Sequence, residues 1–303
     1  MASSVRVGRG QLLRGDCLQV LSELDREQRG RFDLAYMDPP FNAGGERGAR
    51  EKKGARVSGK FAYKDAWGGL DPFLAMLEPR LVAVRDMLSA VGSLWLHLDH
   101  RAVHDAKVLA DRVFGRTAFQ GEVIWVPGNG GKRRSGPSVT HQTILIYSRG
   151  REMIWNGDDP ALRERHAETS LRMHFKNVDA NGRNYRDRIV GGKTYRYYAD
   201  HGRRIGSVWN DCPSMRANTP LIKEATGYPT QKPESLLERI LRASTLENSL
   251  VLDPMHGSGT TLATAERLAR PWLGIDQSPL AHRVAKARLK ALCMQSAART
   301  VAE

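Results

Sequence analysis

Apolar residues along the chain gather into short runs that alternate with longer stretches of helical period. Short apolar runs are typical of buried strands, and apolar positions repeated every three or four residues are typical of helices that face a core. The pattern predicts strands at 32–37, 92–99, 121–126, 142–149, 249–255 and 272–277, and helices at 71–88, 101–115, 232–245, 260–269 and 279–297. Strands and helices in alternation predict an α/β fold with a doubly wound, mostly parallel sheet.

Two segments interrupt this alternation. Residues 42–60 are rich in Gly, Lys and Arg without an apolar period, which predicts a mobile basic loop. Over 151–220, Arg and Tyr interleave with Gly and Asn and helical periodicity is absent, which is typical of an insertion. We therefore expect one α/β domain made of 1–150 and 221–303, with 151–220 inserted into it.

Charge and composition indicate the class of partner. The chain has 303 residues, of which 41% are hydrophobic, and its net charge is 47 − 33 = +14. This excess of positive charge favours a polyanion, with nucleic acid as the first candidate. A basic surface without such a partner is the alternative.

Cysteines and histidines do not predict a metal site. The three cysteines, Cys17, Cys212 and Cys293, lie far apart without CxxC spacing, so neither a disulfide framework nor a zinc site is supported. His97, His100 and His104 fit hydrogen-bonded structure or phosphate contacts better than metal ligation. With no signal-peptide or bilayer-spanning run, we expect a reduced, cytoplasmic protein.

The stretch YMDPPFNAGG, at 36–45, follows a predicted buried strand. Asp38 supplies a carboxylate, Pro39 and Pro40 fix the backbone and lack N–H groups, and Phe41 offers a flat ring. A base could stack on that ring. A carboxylate and a loop carbonyl could then accept hydrogen bonds from the two N–H groups of its exocyclic amine. The stretch therefore predicts a pocket for an extruded base; a capped strand end followed by a tight turn is the alternative.

A second motif, VLDPMHGSGTTLATAERLARPWLGIDQS at 251–278, has the order of a nucleotide site. A strand leads into a turn with Gly257 and Gly259, then a helix and a second strand that ends at Asp276, which can accept hydrogen bonds from both ribose hydroxyls. The third glycine of the dinucleotide motif is replaced by Leu262. An adenosyl ligand without phosphates, such as S-adenosylmethionine, therefore fits better than a dinucleotide.

Together, DPPF, YPTQKPESLLERIL and DPMHGSGTT resemble the exocyclic-amino DNA methyltransferases of the permuted β class. LLRGDCLQVLSEL and GSLWLHLDHRAVHDAKVLADRVFG extend the likeness, which covers roughly 10–150 and 220–290. It implies a circularly permuted Rossmann-like sheet in which the catalytic half precedes the cofactor half. The inserted 151–220 would then be the target-recognition region.

The resemblance also implies roles for individual residues. The catalytic set is Asp38, Pro39, Pro40 and Phe41. The cofactor-binding set comprises Asp16 and Cys17 at the adenine, Asp276 at the ribose, Asp253, Gly257 and Gly259 at the methionine, Thr230 and Lys232 closing the site, and Met255, Thr260 and Gln277 beside them. We assign DNA contacts to basic residues of two loops, namely Arg47, Arg50, Lys52, Lys53, Lys132, Arg133 and Arg134.

The predicted function is transfer of a methyl group from S-adenosylmethionine to double-stranded DNA, with N6 of adenine favoured and N4 of cytosine as the alternative. Methylation of RNA or of a protein amide and a catalytically silent DNA-binding protein are less favoured rivals. A C5-cytosine enzyme needs an attacking thiolate, and Cys212 lies in WNDCPSM, outside any such motif. A separate restriction endonuclease and a homodimer are left open as partners.

Overall fold

The computed structural model describes residues 3–24, 26–41, 46–48, 61–64, 67–128, 133–215 and 224–302. The strands are β1 Ser3–Val7, β2 Gly10–Arg14, β3 Phe32–Met37, β4 Glu46–Gly48, β5 Phe61–Lys64, β6 Leu88–Leu98, β7 Phe119–Trp125, β8 Gln142–Ser148, β9 Arg163–Glu164, β10 Asn177–Val178, β11 Asn184–Val190, β12 Lys193–Tyr198, β13 Arg203–Arg204, β14 Val208–Trp209, β15 Leu250–Asp253 and β16 Trp272–Asp276. The helices are α1 Cys17–Glu23, α2 Leu70–Met87, α3 Val103–Phe114, α4 Glu168–His174, α5 Glu234–Ser244, α6 Thr260–Arg267 and α7 Pro279–Ala302.

The main sheet has nine strands in the order β1-β2-β16-β15-β3-β6-β8-β7-β14. The five strands from β2 to β6 run parallel to one another, whereas β1, β7 and β8 make antiparallel pairs. Helices α1, α2 and α3 pack side by side, and α5, α6 and α7 form a second group. This architecture confirms the predicted α/β fold with a mostly parallel sheet.

The centre of the sheet is where the direction of winding changes. From β3 the chain moves outward to β6, whereas from β15 it moves the opposite way to β16. In open α/β sheets, ligands bind in the crevice beyond the carboxyl ends of the two strands at such a point. Both strands are buried, because Leu34, Met37, Val251 and Leu252 are all inaccessible to solvent.

Contacts divide the chain into two compact units. The first is built from Met1–Trp155 and Ser207–Glu303, and the second is Asn156–Gly206. The second contains a three-stranded antiparallel sheet, β10-β11-β12, and the two-stranded pair β13-β9. Gly191 and Gly192 both have positive φ and form the two-residue turn between β11 and β12, as such hairpins require.

Two sequence-based predictions are wrong locally. The sequence shows no helical periodicity over 151–220, yet α4 lies there. This helix is only 7 residues long and buries no side chain, so it leaves no periodic signal. Glu46–Gly48 was predicted as loop, and its backbone forms β4, which pairs with β5. Among the described residues, no helix is long and apolar enough to cross a bilayer.

Candidate active site

Aspartates stand at the carboxyl ends of the five neighbouring parallel strands. Asp276 and Asp253 are the last residues of β16 and β15, Asp38 and Asp99 directly follow β3 and β6, and Asp16 comes two residues after β2. All five line one cavity at the point where the winding of the sheet changes. We call these five residues the aspartate row.

Asp38 and its neighbours form the wall of this cavity beyond β3. Asp38, Pro39, Pro40 and Phe41, the four residues of the predicted catalytic set, all line it. The Asp38 carboxylate is ion-paired with the Lys232 ammonium, and side-chain exposure is 20% for Asp38 and 8% for Lys232. Lys232 also lies 5.0 Å from the centre of the Phe41 ring. An ionised carboxylate can accept hydrogen bonds from an amine, and the Lys232 ammonium balances its charge.

Lys232 was predicted to close the cofactor site, and the structure puts its ammonium group on Asp38. The residue precedes α5, and its backbone carbonyl accepts a hydrogen bond from the Thr260 hydroxyl at 3.2 Å. Thr260 begins α6, directly after the glycine turn. Lys232 thus contacts both motifs, one through its side chain and the other through its backbone.

Asp276 and Asp253 differ in how their charges are balanced. Asp276 accepts hydrogen bonds from the backbone N–H groups of Gly257, at 2.9 Å, and Ser278, at 2.8 Å. Asp253 is 3% exposed and accepts a bond from the Met255 N–H at 3.2 Å. Burial raises the pKa of Asp253 to about 7. Near neutral pH, Asp253 is therefore a mixture of acid and carboxylate that a nearby positive charge can shift.

Gly257 and Gly259 have positive φ, +50° and +73°, and each has a neighbour close to the position of a Cβ. A Cβ on Gly257 would lie 3.3 Å from the Tyr228 ring, which lines the cavity, and one on Gly259 would lie 2.8 Å from the Cβ of Ala285. Gly259 is outside the cavity wall and serves the packing of α6 against α7. Of the two, Gly257 is the one at which the backbone itself forms the cavity wall.

Asp16 and Cys17 stand at the start of α1. Asp16 caps this helix by accepting a hydrogen bond from Leu18 N at 3.0 Å, and it is ion-paired with Arg80 of α2. Burial raises the pKa of the Cys17 thiol to about 11. Cys17 is therefore a small neutral wall residue and not a nucleophile.

The cavity collects most of the residues predicted to form the site. From the catalytic and cofactor-binding sets, it brings together Asp16, Cys17, Asp38, Pro39, Pro40, Phe41, Thr230, Lys232, Asp253, Met255, Gly257, Thr260, Asp276 and Gln277. Arg133 and Arg134 are exposed and lie outside it. Arg50, Lys52, Lys53, Lys132 and the side chain of Arg47 lie outside the described residues.

Several lining residues were not predicted. Arg80 and Met76 belong to α2, Trp67 precedes it, and Gln142 begins β8. Each lies in a stretch whose pattern is that of ordinary core or helix, so no local signal could have singled it out. A signal existed for Tyr228, which lies within the quoted YPTQKPESLLERIL segment, and for His256 and Ser258, which lie within DPMHGSGTT.

These residues fit S-adenosylmethionine, a cationic ligand without phosphates. The aspartate row lines the cavity with acids, and Gly257 provides the close backbone approach that an adenosyl ligand requires. Among the described residues, no group of three or more His, Cys, Asp or Glu side chains could hold a metal ion. His97 is instead buried in hydrogen bonds to Tyr36 and Gln142.

The parallel sheet, the glycine turn and the acids at its edge define a Rossmann-like methyltransferase. A family model described as DNA methylase, of the N6/N4 class, matches residues 32–287. The chain belongs to this family. It is an S-adenosylmethionine-dependent DNA methyltransferase of the exocyclic-amino class, as the motifs predicted.

Individual relatives agree with this assignment. The Type II methyltransferase M.EcaI of Enterobacter cloacae is 26% identical over 289 residues, which cover 81% of this chain and 62% of M.EcaI. The chain thus spans a little under two thirds of that relative. Two solved structures share the fold. The M1.HpyAVI–SAM complex matches with a TM-score of 0.55 and 17% identity over 92% of this chain and 98% of its own. The cytosine-N4-specific PvuII DNA methyltransferase matches with a TM-score of 0.58 and 14% identity over 94% of this chain and 90% of its own.

Proposed function

We propose that the protein methylates the exocyclic amine of one base at a specific site in double-stranded DNA, after that base has left the helix. The observation that carries the proposal is the shared cavity: Asp38 and Phe41 line it together with the glycine turn and the acids of β15 and β16. A base that remains stacked in a duplex could not reach the end of a buried strand, so extrusion of the base is part of the proposal.

The chemistry rests on Asp38 and the loop that follows it. The lone pair of an exocyclic amine is delocalised into the ring, so transfer requires its localised form. Bound S-adenosylmethionine supplies an electrophilic methyl group. Asp38 and a carbonyl of the Pro39–Pro40 loop accept hydrogen bonds from the two amine N–H groups and stabilise the positive charge that develops on nitrogen. Once the methyl group is in place, the nitrogen gives up one hydrogen as a proton, for which the Asp38 carboxylate is the adjacent base. Phe41 provides the stacking face, and the Lys232 ammonium balances the charge of Asp38.

An Asp38→Asn variant tests this role. An amide is a much weaker acceptor for developing charge, so we expect the rate of methyl transfer to fall by at least about 100-fold. Binding of S-adenosylmethionine, measured by calorimetry, should be retained because Asp38 acts on the amine. Asp33→Asn is the matched control: Asp33 lies at the opposite end of β3, where it accepts a bond from the Ser89 hydroxyl at 2.7 Å. Equal losses in both variants would refute the assignment.

For the target atom we favour N6 of adenine over N4 of cytosine. In the resembled family an Asp at the start of the DPPF motif accompanies adenine more often, whereas a Ser accompanies cytosine. The PvuII enzyme is cytosine-specific by name, but at 14% identity it supports only the shared fold. Mass spectrometry of nucleosides from methylated DNA decides the base. N4-methylcytosine would overturn the adenine choice, and 5-methylcytosine would overturn the mechanism.

We further propose that the unit Asn156–Gly206 contacts DNA through one face of the hairpin β11–β12. The register puts Arg186 opposite Tyr197, Arg188 opposite Tyr195 and Val190 opposite Lys193 on this face. Tyr195 and Tyr197 are 46% and 43% exposed, and the Arg186 guanidinium lies 5.6 Å from the centre of the Tyr197 ring. Exposed rings between cations are typical of nucleic-acid contacts.

The opposite face of the same hairpin carries cations that are already neutralised. Arg196 makes two hydrogen bonds of 2.9 Å to Asp187, and Arg183 pairs with Asp200. Among the described residues, Arg188 and Lys193 have no acidic partner. The two faces therefore differ in net charge, which supports the first as the one that meets phosphates.

Paired substitutions on the two faces test this assignment. Arg188→Gln should weaken DNA binding and reduce the slope of log affinity against log salt by about 0.9, the value for one phosphate contact. Arg196→Gln removes the same charge from the other face and should leave the slope nearly unchanged. Equal slopes for the two variants would refute the choice of face. Arg133 and Arg134 stay predicted phosphate contacts, and a separate nuclease and a homodimer stay predictions.

A further inference from the structure

Three hydrogen-bonded side chains cross neighbouring strands behind the base pocket. The Tyr36 hydroxyl of β3 lies 2.7 Å from Nδ1 of His97 in β6, and Nε2 of His97 lies 2.6 Å from Oε1 of Gln142 at the start of β8. Tyr36 is 2% exposed and His97 is fully buried. The His97 ring also lies 5.9 Å from the Phe41 ring, so these three hydrogen-bonded side chains directly support the proposed stacking face.

The protonation of His97 follows from its surroundings. Burial, together with the charge of Lys232, lowers the pKa of His97 well below its usual range. The ring is therefore neutral, with one nitrogen that donates and one that accepts. Burial also raises the pKa of Tyr36, so its hydroxyl keeps its proton.

The Tyr36 hydroxyl determines which group donates in each of the two hydrogen bonds. Among the described residues, His97 is its one hydrogen-bond partner. If Nδ1 donated to the hydroxyl, the hydroxyl hydrogen would be buried without an acceptor, which is unfavourable. The hydroxyl therefore donates to Nδ1, and Nε2–H donates to the Gln142 carbonyl oxygen. The Gln142 amide group is thus oriented, and its NH2 group has no acceptor among the described residues.

Gln142 also lines the cavity that contains Asp38 and Phe41. Its strand runs antiparallel to β6, and His97 pairs with Ile144, so Gln142 comes level with the edge where Asp38 and Asp99 stand. A donor and an acceptor, Gln142 and Asp38, therefore face the same space. Adenine and cytosine both present an amine next to a ring nitrogen that accepts a hydrogen bond.

We propose that the Gln142 NH2 group donates a hydrogen bond to the ring nitrogen beside the target amine, which is N1 of adenine or N3 of cytosine, with His97 as its positioning residue. This inference rests on the proposed function. Guanine and thymine carry an oxygen in place of the amine and an N–H in place of the ring acceptor. They would set oxygen against the Asp38 carboxylate and N–H against the Gln142 donor. Two contacts would thus select amino bases over keto bases.

Deaza bases test the contact atom by atom. After sequencing of methylated DNA identifies the site, duplexes are made with the target adenine replaced by 1-deazaadenine, or a target cytosine by 3-deazacytosine. Each keeps the amine but replaces the ring acceptor with C–H. For the wild type we expect kcat/KM to fall roughly 10- to 100-fold with the deaza base. Gln142→Leu should lose a similar factor with the natural base and almost nothing more with the deaza base.

A second variant reverses the preference. Gln142→Glu would keep the bond from His97 but present an acceptor to the ring nitrogen, so the deaza base should become the better substrate. Gln120→Leu is the matched control, because Gln120 lies outside the cavity and bonds Ser148 at 2.8 Å. It should retain the full deaza penalty of the wild type.

His97→Phe reports on the positioning role. If His97 acts through Gln142, the double variant His97→Phe, Gln142→Leu should have nearly the same kcat/KM as Gln142→Leu alone. Equal deaza penalties in wild type and Gln142→Leu, or an unchanged preference in Gln142→Glu, would overturn the inference. Failure of the proposed function would look different, since no DNA base would then be methylated by the wild type.

Discussion

The buried carboxyl group of Asp253 should make the stability of the protein depend on pH in an unusual direction. Its pKa is raised from 3.8 to about 7 by burial, so between these values the folded protein holds a proton that the unfolded chain has lost. The free energy of unfolding therefore falls as pH rises through this window, and the loss levels off above pH 7. Most paired acids have the opposite effect.

The size of the effect follows from these two pKa values. Each pH unit between them costs about 1.4 kcal/mol, so Asp253 destabilises the fold by roughly 2 kcal/mol at pH 5.5 and roughly 4 kcal/mol at pH 8. Asp253→Asn is neutral at every pH and nearly the same size. We expect the stability gained by this variant, relative to wild type, to grow by roughly 2 kcal/mol between pH 5.5 and pH 8.

Urea unfolding without cofactor, at the two pH values, measures this difference. Other groups that titrate, including the buried histidines, are present in both proteins and cancel in the comparison. Any constant offset from the amide NH2 group beside Met255 N–H also cancels between the two pH values. A gain that is the same at pH 5.5 and pH 8 would show that Asp253 does not change its protonation on folding, and would refute the reasoning.

Three further predictions concern the glycine turn, the ion pair and the ribose acid. Gly259→Ala should lower the free energy of unfolding by about 2–4 kcal/mol, because the residue has positive φ and a Cβ would clash with α7. The control Gly30→Ala has positive φ but open space around it, so it should lower the free energy of unfolding by only about 1 kcal/mol. Calorimetric melting compares the two variants. Lys232→Met should slow transfer, because the Asp38 carboxylate loses the cation that balances its charge; an unchanged rate of transfer would contradict this. Asp276→Ala should weaken S-adenosylmethionine binding by about 1.5–3 kcal/mol in calorimetry with DNA binding nearly intact; normal cofactor affinity would contradict it.

The sequence predicted the central strands and most helices because each has a strong pattern of its own. FDLAYM is a buried apolar run directly followed by an acid, VLD ends in one, and α5 has a regular apolar stripe. β6 begins at Leu88, four residues before the predicted start at 92, because α2 passes into it without a turn signal. β1 and β2 were missed because each is short and only partly buried.

Contacts between distant parts of the chain could not be predicted in the same way. Lys232 and Asp38 are 194 residues apart, and nothing local in either stretch indicates their pairing. The hydrogen bonds that join Tyr36, His97 and Gln142 require three strands to be neighbours in the order β3, β6, β8. This order follows from the topology and not from any one segment. The motifs could therefore name the members of the site but not their partners.

The aspartate row bears on how the enzyme releases its product. Arg80, Lys232 and Arg101 neutralise Asp16, Asp38 and Asp99, so the excess negative charge falls on Asp253 and Asp276, at the ends of adjacent strands. Methyl transfer converts a positively charged sulfonium into a neutral thioether. Asp276 can keep hydrogen bonds to the ribose in both forms, whereas Asp253 loses the nearby cation and, with its pKa near neutrality, can take up a proton instead. Inhibition by the demethylated product should accordingly depend on pH.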